Sequence, residues 1–268
     1  RVAQATRGAI LARGAEGVPL LLEQLRSGDL AMVQAALAAA RELTASSVSQ
    51  ELLAGLADLD ADLRALMILA LADRGDAETM PAMLNAAQEG PVTVRLAAIE
   101  VLGGIGDETC VPVLLTLATD DNDDILVKAR NALSTLPGDG VNALLAESLA
   151  EAEGERRIAL IELVGRRRIE VVDPLLEAVN DSNAEVRAAG LKALGEVASD
   201  QDLALLIDAA VKPTHAEDAE VAAKALRAAS VRMADRDACA ERLAKTLDEA
   251  PIAARVTIIE TRGEMGGP

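Results

Sequence analysis

Apolar residues recur at helical spacing along the chain, and polar turns separate the apolar stretches. The clearest stretches carry leucine or valine every three to four residues, as in 18–25, 111–115, 172–179 and 203–207. This period is typical of helices that bury one face. A short polar turn follows each stretch, and then a second stretch rich in alanine, leucine and isoleucine at the same period. The pattern therefore predicts pairs of helices rather than strands.

A basic residue near the start of each predicted second helix gives the period of the pairs. Successive members of this set are 31, 33, 29, 30 and 68 residues apart, and the last gap leaves room for two pairs around an enlarged polar turn. We call the set the cation ladder: Arg64, Arg95, Lys128, Arg157, Arg187 and Arg255. One helical pair cannot bury its apolar face alone, whereas stacked pairs can. We therefore predict an all-α solenoid of about eight and a half helical pairs.

Residues with special backbone preferences mark the predicted helix ends. Prolines early in the first helices lose no hydrogen bond there, because first-turn N–H groups have no helical partner. They are Pro19, Pro81, Pro112 and Pro174. Aspartates and asparagines of the turns at 27–29, 58–60, 120–124 and 180–183 are predicted to cap the second helices. Glycines after the second helices are predicted to adopt the left-handed C-cap conformation. They are Gly75, Gly106, Gly138 and Gly195.

The composition narrows the possible partners. The chain has 51% apolar residues but no Phe, Tyr or Trp, so aliphatic side chains must fill the core. Alanine permits this, because it lets two helix axes approach closely. The net charge of −18 argues against nucleic acid as a partner, since phosphate binding needs a basic face. An acidic surface keeps the protein in solution, and a basic partner is the alternative interpretation.

Cysteines, apolar runs and chain ends complete this part of the analysis. Cys110 and Cys239 cannot build a disulfide framework and are predicted to be buried thiols. No apolar run is long enough for a membrane helix, so no membrane insertion is expected. The sequence starts at Arg1 rather than methionine, and we interpret it as a fragment of a longer chain. The compartment therefore stays open between the cytoplasm and, for an exported protein, the periplasm or exterior.

One segment carries a family resemblance. Asp181-Ser-Asn-Ala-Glu-Val-Arg-Ala-Ala-Gly-Leu-Lys-Ala-Leu-Gly195 has weaker copies along the whole length. It resembles the HEAT repeat and, more narrowly, the short bacterial kind found in phycobilisome-lyase-like HEAT proteins. The resemblance covers nearly the whole chain and is strongest over 60–107 and 169–198. The segments 234–243 and 260–268 also resemble multi-repeat proteins of planctomycete-like bacteria.

The resemblance implies a fold and a class of function. It implies a right-handed α-α superhelix, armadillo-like, as a single repeat domain over residues 1–268, with the second helices on its concave face. By analogy with the family, that face binds another protein, so the expectation is a non-catalytic scaffold without cofactors. The alternatives are a bilin lyase-like chromophore chaperone and an accessory module of a larger exported bacterial enzyme. Truncated ends would also expose apolar faces and favour end-to-end self-association.

Two sets of basic residues are candidate functional positions. The cation ladder is predicted to pair with turn carboxylates, chiefly Asp60, Asp124 and Asp181, which would make it structural. Its alternative role is a ligand-binding stripe. The densest basic cluster is a candidate binding patch for a carboxylate or another anion, and its alternative is a solvated helix end. That cluster comprises Arg156, Arg157, Arg166, Arg167 and Arg168.

Other motifs are interpreted as structural. The acidic turn at 120–124 lacks the glycine and glutamate of a calcium-binding loop. His215 is the only histidine, which excludes a metal site built on several histidines and kinship with iron-binding HEAT-repeat hydroxylases. The glycines at 103–106 follow a helical pattern and predict a helix C-terminus rather than a dinucleotide-binding loop. We expect no catalytic and no metal site.

Overall fold

A computed structural model describes residues 1–43, 47–247 and 250–265 of the chain. Regular secondary structure in these residues is helical. The first element is a single helix, α1 (Val2–Arg13). Four pairs of a first and a second helix follow: α2 (Val18–Leu25) and α3 (Leu30–Glu42), α4 (Val48–Gly55) and α5 (Ala61–Ala72), α6 (Met80–Gln88) and α7 (Val92–Ile105), α8 (Val111–Leu117) and α9 (Asp123–Thr135).

Four more pairs complete the described part of the chain. They are α10 (Val141–Ala150) and α11 (Gly154–Arg167), α12 (Val172–Val179) and α13 (Ala184–Val197), α14 (Leu203–Val211) and α15 (Ala219–Arg232), α16 (Arg236–Leu247) and α17 (Ile252–Glu264). The predicted all-α solenoid of eight pairs and one half pair is therefore confirmed over residues 1–43, 47–247 and 250–265. Contacts group the chain into two compact units, unit 1 (Arg1–Val141) and unit 2 (Asn142–Pro268). The expectation of one domain over residues 1–268 stays a prediction.

The predicted helix starts are confirmed at several turns. Asp29 accepts hydrogen bonds from the N–H groups of Ala31 and Met32, and Asp60 accepts one from Leu63. Asn122 and Asn183 cap α9 and α13 in the same way. The N-caps of the second helices from α3 to α11 are spaced 31 residues apart, at 29, 60, 91, 122 and 153. This constant interval is the true period of the repeat.

The glycine prediction is half right. Gly75 and Gly138 have positive φ angles of 69° and 123°, as a left-handed cap requires. Gly106 is extended (φ −71°), and Gly195 lies inside α13, so the prediction is wrong for both. Their reason is space rather than backbone angle. A Cβ on Gly195 would lie 2.8 Å from the Cα of Ala225 and 3.0 Å from its Cβ.

Second helices pack closely on one another within each unit. In unit 1, α5 contacts α7 and α7 contacts α9, and in unit 2, α11 contacts α13 and α13 contacts α15. Three of these contacts place a glycine on an alanine: Gly103 on Ala132, Gly165 on Ala193, and Gly195 on Ala225. We call them the Gly–Ala joints. Without a side chain on one helix, the two axes approach closely, which compensates for the lack of aromatic residues in the core.

Candidate functional site

The arginines of the cation ladder hold the end of the first helix in their own pair. Arg64 donates from Nε to the carbonyl oxygen of Leu56 at 3.1 Å, and Arg95 donates from Nε to that of Ala87 at 3.1 Å. In the last pair, Arg255 donates to the carbonyl of Ala250 at 2.8 Å. These carbonyls lie at or just after the end of a first helix, where helical partners are missing. The guanidinium groups therefore act as C-caps supplied from the second helix.

Three of these arginines also bind a carboxylate of the following pair. Arg95 contacts Asp120 at 2.5 Å, and Arg157 contacts Asp181 at 3.0 Å, the partner expected from the sequence. The N–H of Asn122, together with Arg95, holds the pKa of Asp120 below its ordinary value. The ladder thus bridges successive pairs within a unit.

Arg187 is the most deeply placed member of the ladder. Its side chain is 3% exposed, and Nε donates to Asp218 at 2.6 Å while Nη2 reaches Glu217 at 2.9 Å. Nη1 donates to the carbonyls of Asp181 and Ser182. The hydrogen bond to Asp218 is the main reason why the pKa of Arg187 lies above its ordinary value. This guanidinium joins α13 to the turn before α15.

The structure corrects three ladder assignments. Lys128 is six residues after the N-cap of α9, whereas the ladder arginines are four residues after theirs, so it points elsewhere and contacts Glu100 at 2.8 Å. Asp60 and Asp124 do not have the expected roles: Asp60 caps α5, and Asp124 lies in the first turn of α9. In this pair Arg130 takes over, donating from Nε to the carbonyl of Ala118 at 2.9 Å, just after α8.

We expect Arg130→Met to destabilise unit 1 by about 1.5–3 kcal/mol, because it removes a charged hydrogen bond from a half-buried carbonyl. Lys128→Met is the matched control, since its ion pair with Glu100 is largely exposed and is worth at most about 1 kcal/mol. Urea unfolding followed by circular dichroism would compare the two. A larger loss for Lys128→Met would restore Lys128 as the structural residue.

The arginine cluster is divided between the two ends of α11. Arg156 and Arg157 lie in its first turn, and Arg166 and Arg167 lie in its last turn. Ten residues of helix separate Arg156 from Arg166, which is about 15 Å. Arg168 is the left-handed C-cap of the helix (φ 53°, ψ 47°) and contacts Glu196 at 3.5 Å. The structure therefore does not bring the five side chains into one patch.

Two members of this cluster have firm protein partners. Arg157 is in the ladder and binds Asp181. Arg167 donates from Nε to Asn142 Oδ1 at 2.7 Å, and partial burial lowers its pKa. Arg156 and Arg166 are exposed. A role for all five in binding one ligand stays a prediction, and the geometry favours separate roles for the two helix ends.

Shallow grooves follow the Gly–Ala joints on the exposed side of the second helices. The α7–α9 groove is lined by Glu100, Gly103, Lys128 and Thr135, among others. The α11–α13 groove is lined by Glu162, Gly165, Arg166, Lys192 and Glu196, among others. Glu100 and Glu162 each lie nine residues after the N-cap of their helix, and Gly103 and Gly165 each lie twelve after it. The two units therefore present the same kind of groove at the same helix position.

Further searches returned few chemical features. Among the described residues, no three or more His, Cys, Asp or Glu side chains are grouped so that they could hold a metal ion. His215 is exposed and precedes a short turn. Cys110 and Cys239 are buried free thiols, as predicted, and burial raises the pKa of both. None of the helices in the described ranges is long and apolar enough to span a membrane.

A family comparison fits this architecture. The family described as HEAT repeats matches residues 49–134 and 141–227, more than half of the chain. The chain belongs to the HEAT-repeat family. The resemblance predicted from the sequence is therefore confirmed, and the ladder and the Gly–Ala joints are features of a HEAT-repeat array.

Known proteins of similar sequence or structure include three examples. The uncharacterized phycocyanin operon protein Z of Pseudanabaena tenuis (strain PCC 7409) is 28% identical over 130 residues, which are 45% of this HEAT-repeat chain and 64% of that protein. The chain thus spans less than two thirds of this relative. Human deoxyhypusine hydroxylase in complex with glycerol is 18% identical, with a TM-score of 0.41 and coverage of 95% of this chain and 98% of that one. In the CpcE–CpcF complex of phycocyanin lyase from Nostoc sp. PCC7120, the matched chain is 16% identical, with a TM-score of 0.37 and coverage of 92% and 94%.

Hydrogen-bonded carboxylates make the HEAT repeats of unit 1 sensitive to acid. The pKa values of Asp76, Asp107 and Asp120 are lowered, by Ser49, by Thr109 and by Asn122 as the leading partners. A lowered pKa stabilises the folded state above the unfolded pKa of about 3.9, and this contribution is lost as the pH falls through the folded value. Unit 1 should therefore lose stability below about pH 4.

Asp107→Asn tests this dependence, because asparagine keeps the oxygen that accepts from Thr109 but does not titrate. The urea midpoint of this variant should fall less between neutral and acidic pH than that of the native protein. An equal fall in both proteins would show that Asp107 does not contribute to the acid sensitivity.

Proposed function

We propose that the chain is a non-catalytic scaffold that binds another protein along the exposed face of its second helices. The observation that supports this proposal is the recurrence of one groove type, at the same helix position, in unit 1 and in unit 2. A repeated shallow surface suits a partner that contacts several repeats in succession. The HEAT-repeat membership adds an associational argument of the same kind.

The lining of the two grooves indicates polar recognition. Each groove holds carboxylates beside cations: Glu100 contacts Lys128 in unit 1, and Glu162 lies near Lys192 in unit 2. Aromatic anchors, which dominate many tight interfaces, are absent from the sequence. The partner is therefore expected to supply such anchors itself, over an extended contact of moderate affinity.

Site-specific photo-crosslinking tests the proposal. A benzophenone amino acid would replace Thr135 in the α7–α9 groove or Lys192 in the α11–α13 groove. The control position is Thr116, which is exposed on the first helix α8. In an extract of the source cells, one and the same protein should be crosslinked from Thr135 and Lys192 but not from Thr116. Equal crosslinking from all three positions, or none, would contradict binding by the second helices.

A bilin-binding chaperone is the second candidate function. It is supported by the similarity to a phycocyanin operon protein, which covers less than half of this chain. Biliverdin, a linear tetrapyrrole, would serve as the probe. A saturable change of its absorbance spectrum on addition of the protein would support this function. An unchanged spectrum would remove it and leave the scaffold proposal intact.

Self-association of the chain is a further prediction, and α17 offers a surface for it. Ile252, Val256 and Ile259 are exposed on this helix by 82%, 52% and 59%. Stacking of such a face on another chain would bury it. Light scattering should show a mass that grows with concentration, and Val256→Glu combined with Ile259→Glu should suppress this growth. A constant monomer mass for the native protein would count against the prediction. Inclusion in a larger exported enzyme also stays a prediction, which the flanking reading frame would test.

A further inference from the structure

A second kind of groove lies at the edge of unit 1, where α3 and α5 begin. Its floor is apolar and is made by Leu30, Val33, Leu63 and Leu66. Leu30 is 71% exposed and Leu66 is 43% exposed, so two leucines at one place remain largely in contact with water. Exposed leucines that share a groove form an interaction patch more often than isolated ones do.

The position of Leu30 explains why no neighbouring helix covers it. It is the first residue of α3, directly after the N-cap Asp29, whose carboxylate satisfies the N–H groups of Ala31 and Met32. The corresponding first residues of α5 and α13 are alanines, Ala61 and Ala184. A leucine is therefore not needed to start a second helix, and Leu30 adds apolar area that the helix itself does not use.

The rim of this groove is negatively charged. Asp58, Asp60 and Asp62 line it together with one cation, Arg26, which contacts Asp58 at 3.2 Å. All three aspartates are exposed. Unit 1 as a whole carries twice as many acidic as basic residues, because residues 1–141 contain 20 Asp and Glu but 10 Lys and Arg. The field at the groove therefore attracts cations and repels carboxylates.

We propose that the α3–α5 groove binds a short basic segment of a partner protein, with one large apolar side chain placed between Leu30 and Leu66. Lysine or arginine residues beside that anchor would face Asp58, Asp60 and Asp62. The inference rests on the proposed scaffold function and names the chemistry of one contact. The same charges disfavour a bilin in this groove, because its propionate groups are anionic.

The absence of aromatic residues makes a sensitive binding assay possible. A short peptide with one tryptophan between lysines and arginines would be the only aromatic fluorophore in the mixture, since the chain has no Trp, Tyr or Phe. Burial of the indole should shift its emission to shorter wavelength as protein is added. A peptide with glutamates in place of the basic residues is the charge control, and it should bind at least about tenfold more weakly.

Variants of the floor and rim locate the site. Leu30→Ser with Leu66→Ser should weaken binding about tenfold, because the anchor loses its apolar contacts. Asp62→Asn should weaken it about threefold and reduce its salt dependence. Val127→Ser is the matched control: Val127 is similarly exposed (54%) in the same unit but lies on α9, and this variant should bind like the native protein. Circular dichroism would verify that each variant is folded.

The outcomes separate this inference from the scaffold proposal. Unchanged peptide affinity in the double leucine variant, or equal affinity for the acidic peptide, would overturn the groove assignment. Crosslinking from Thr135 and Lys192 would still support the scaffold proposal in that case. Loss of crosslinking together with intact, leucine-dependent peptide binding would instead overturn the second-helix face and retain the groove.

Discussion

Replacing Arg74 with methionine is expected to destabilise unit 1 by about 3 kcal/mol, the largest effect of any single side chain there. The Arg74 side chain is 4% exposed. Its Nη1 donates to the carbonyl of Ala40 at 2.9 Å and to that of Leu43. Its Nε donates to Ser49 Oγ at 3.1 Å and to Asp76 Oδ2 at 2.9 Å. One guanidinium thus joins the end of α3, the start of α4 and the turn after α5.

The size of this effect follows from what remains after the substitution. Methionine fills most of the space but donates no hydrogen bond, so the carbonyls of Ala40 and Leu43 lose their donor in a poorly hydrated place. The carboxylate of Asp76 is partly exposed, and water compensates for its loss. For this reason we expect the lower end of the range for buried ion pairs.

Arg41→Met is the matched control. Arg41 contacts Asp73 at 2.5 Å in the same unit, but both side chains are about half exposed, so their ion pair is worth at most about 1 kcal/mol. Urea unfolding by circular dichroism would measure both variants. Equal destabilisation by the two substitutions would show that burial of Arg74 does not matter.

The fold was predictable from the sequence because it rests on local and repeated features. The apolar period gives the helices, the capping aspartates and asparagines give their starts, and the repeat gives the stacking. Even the early prolines are where they were expected, with Pro19, Pro81 and Pro112 in the first two positions of their helices. Each of these signals acts within a few residues of the chain.

The networks of buried arginine were less predictable, because they join residues that are distant in sequence. Arg74 follows a helix and reads as a solvated C-terminal cation, yet it turns inward to groups 25 to 34 residues away. Lys128 was assigned to the ladder from charge alone. The constant interval of 31 residues between N-caps is the signal that points past Lys128, since it places Leu126 at the ladder position and leaves Arg130 to reach Ala118.

The candidate sites show the same division. A cluster of arginines in the sequence, Arg156–Arg168, lies at two ends of one helix, because sequence proximity does not measure distance along a helix. The α3–α5 groove had no signal in the sequence as such. Leu30 reads as part of an ordinary helix, and only the packing around it shows that its side chain is left exposed beside Leu66.

Replacing Gly103 with leucine is expected to destabilise unit 1 by about 3 kcal/mol, whereas the same change at Gly104 should be neutral or stabilise it by up to about 1 kcal/mol. Both glycines lie near the end of α7, and leucine is the better helix former at either position. Their surroundings differ. A Cβ on Gly103 would lie 2.8 Å from the Cβ of Ala132 and 2.9 Å from its Cα, whereas a Cβ on Gly104 would have no atom within 4 Å.

The opposite signs isolate the Gly–Ala joint from helix propensity. At Gly103 the obstacle includes backbone of α9, so a rotamer change cannot relieve it, and the two helices must separate. Urea unfolding of the two variants, with circular dichroism to confirm helix content, would measure both effects. Stabilisation by both substitutions would mean that α7 and α9 do not approach as closely as described.

A compensating change sharpens this test. Gly103→Ala should destabilise less than leucine does, and adding Ala132→Gly should recover part of the loss, because one of the two contacts is to the Ala132 side chain and the other is to its Cα. The same logic applies to Gly165 with Ala193 in unit 2. Since the joints set how closely second helices approach, any variant that opens one should also reshape the groove beside it. Photo-crosslinking from Thr135 should therefore fall in Gly103→Leu and persist in Gly104→Ala, which ties the packing of the repeats to the proposed binding face.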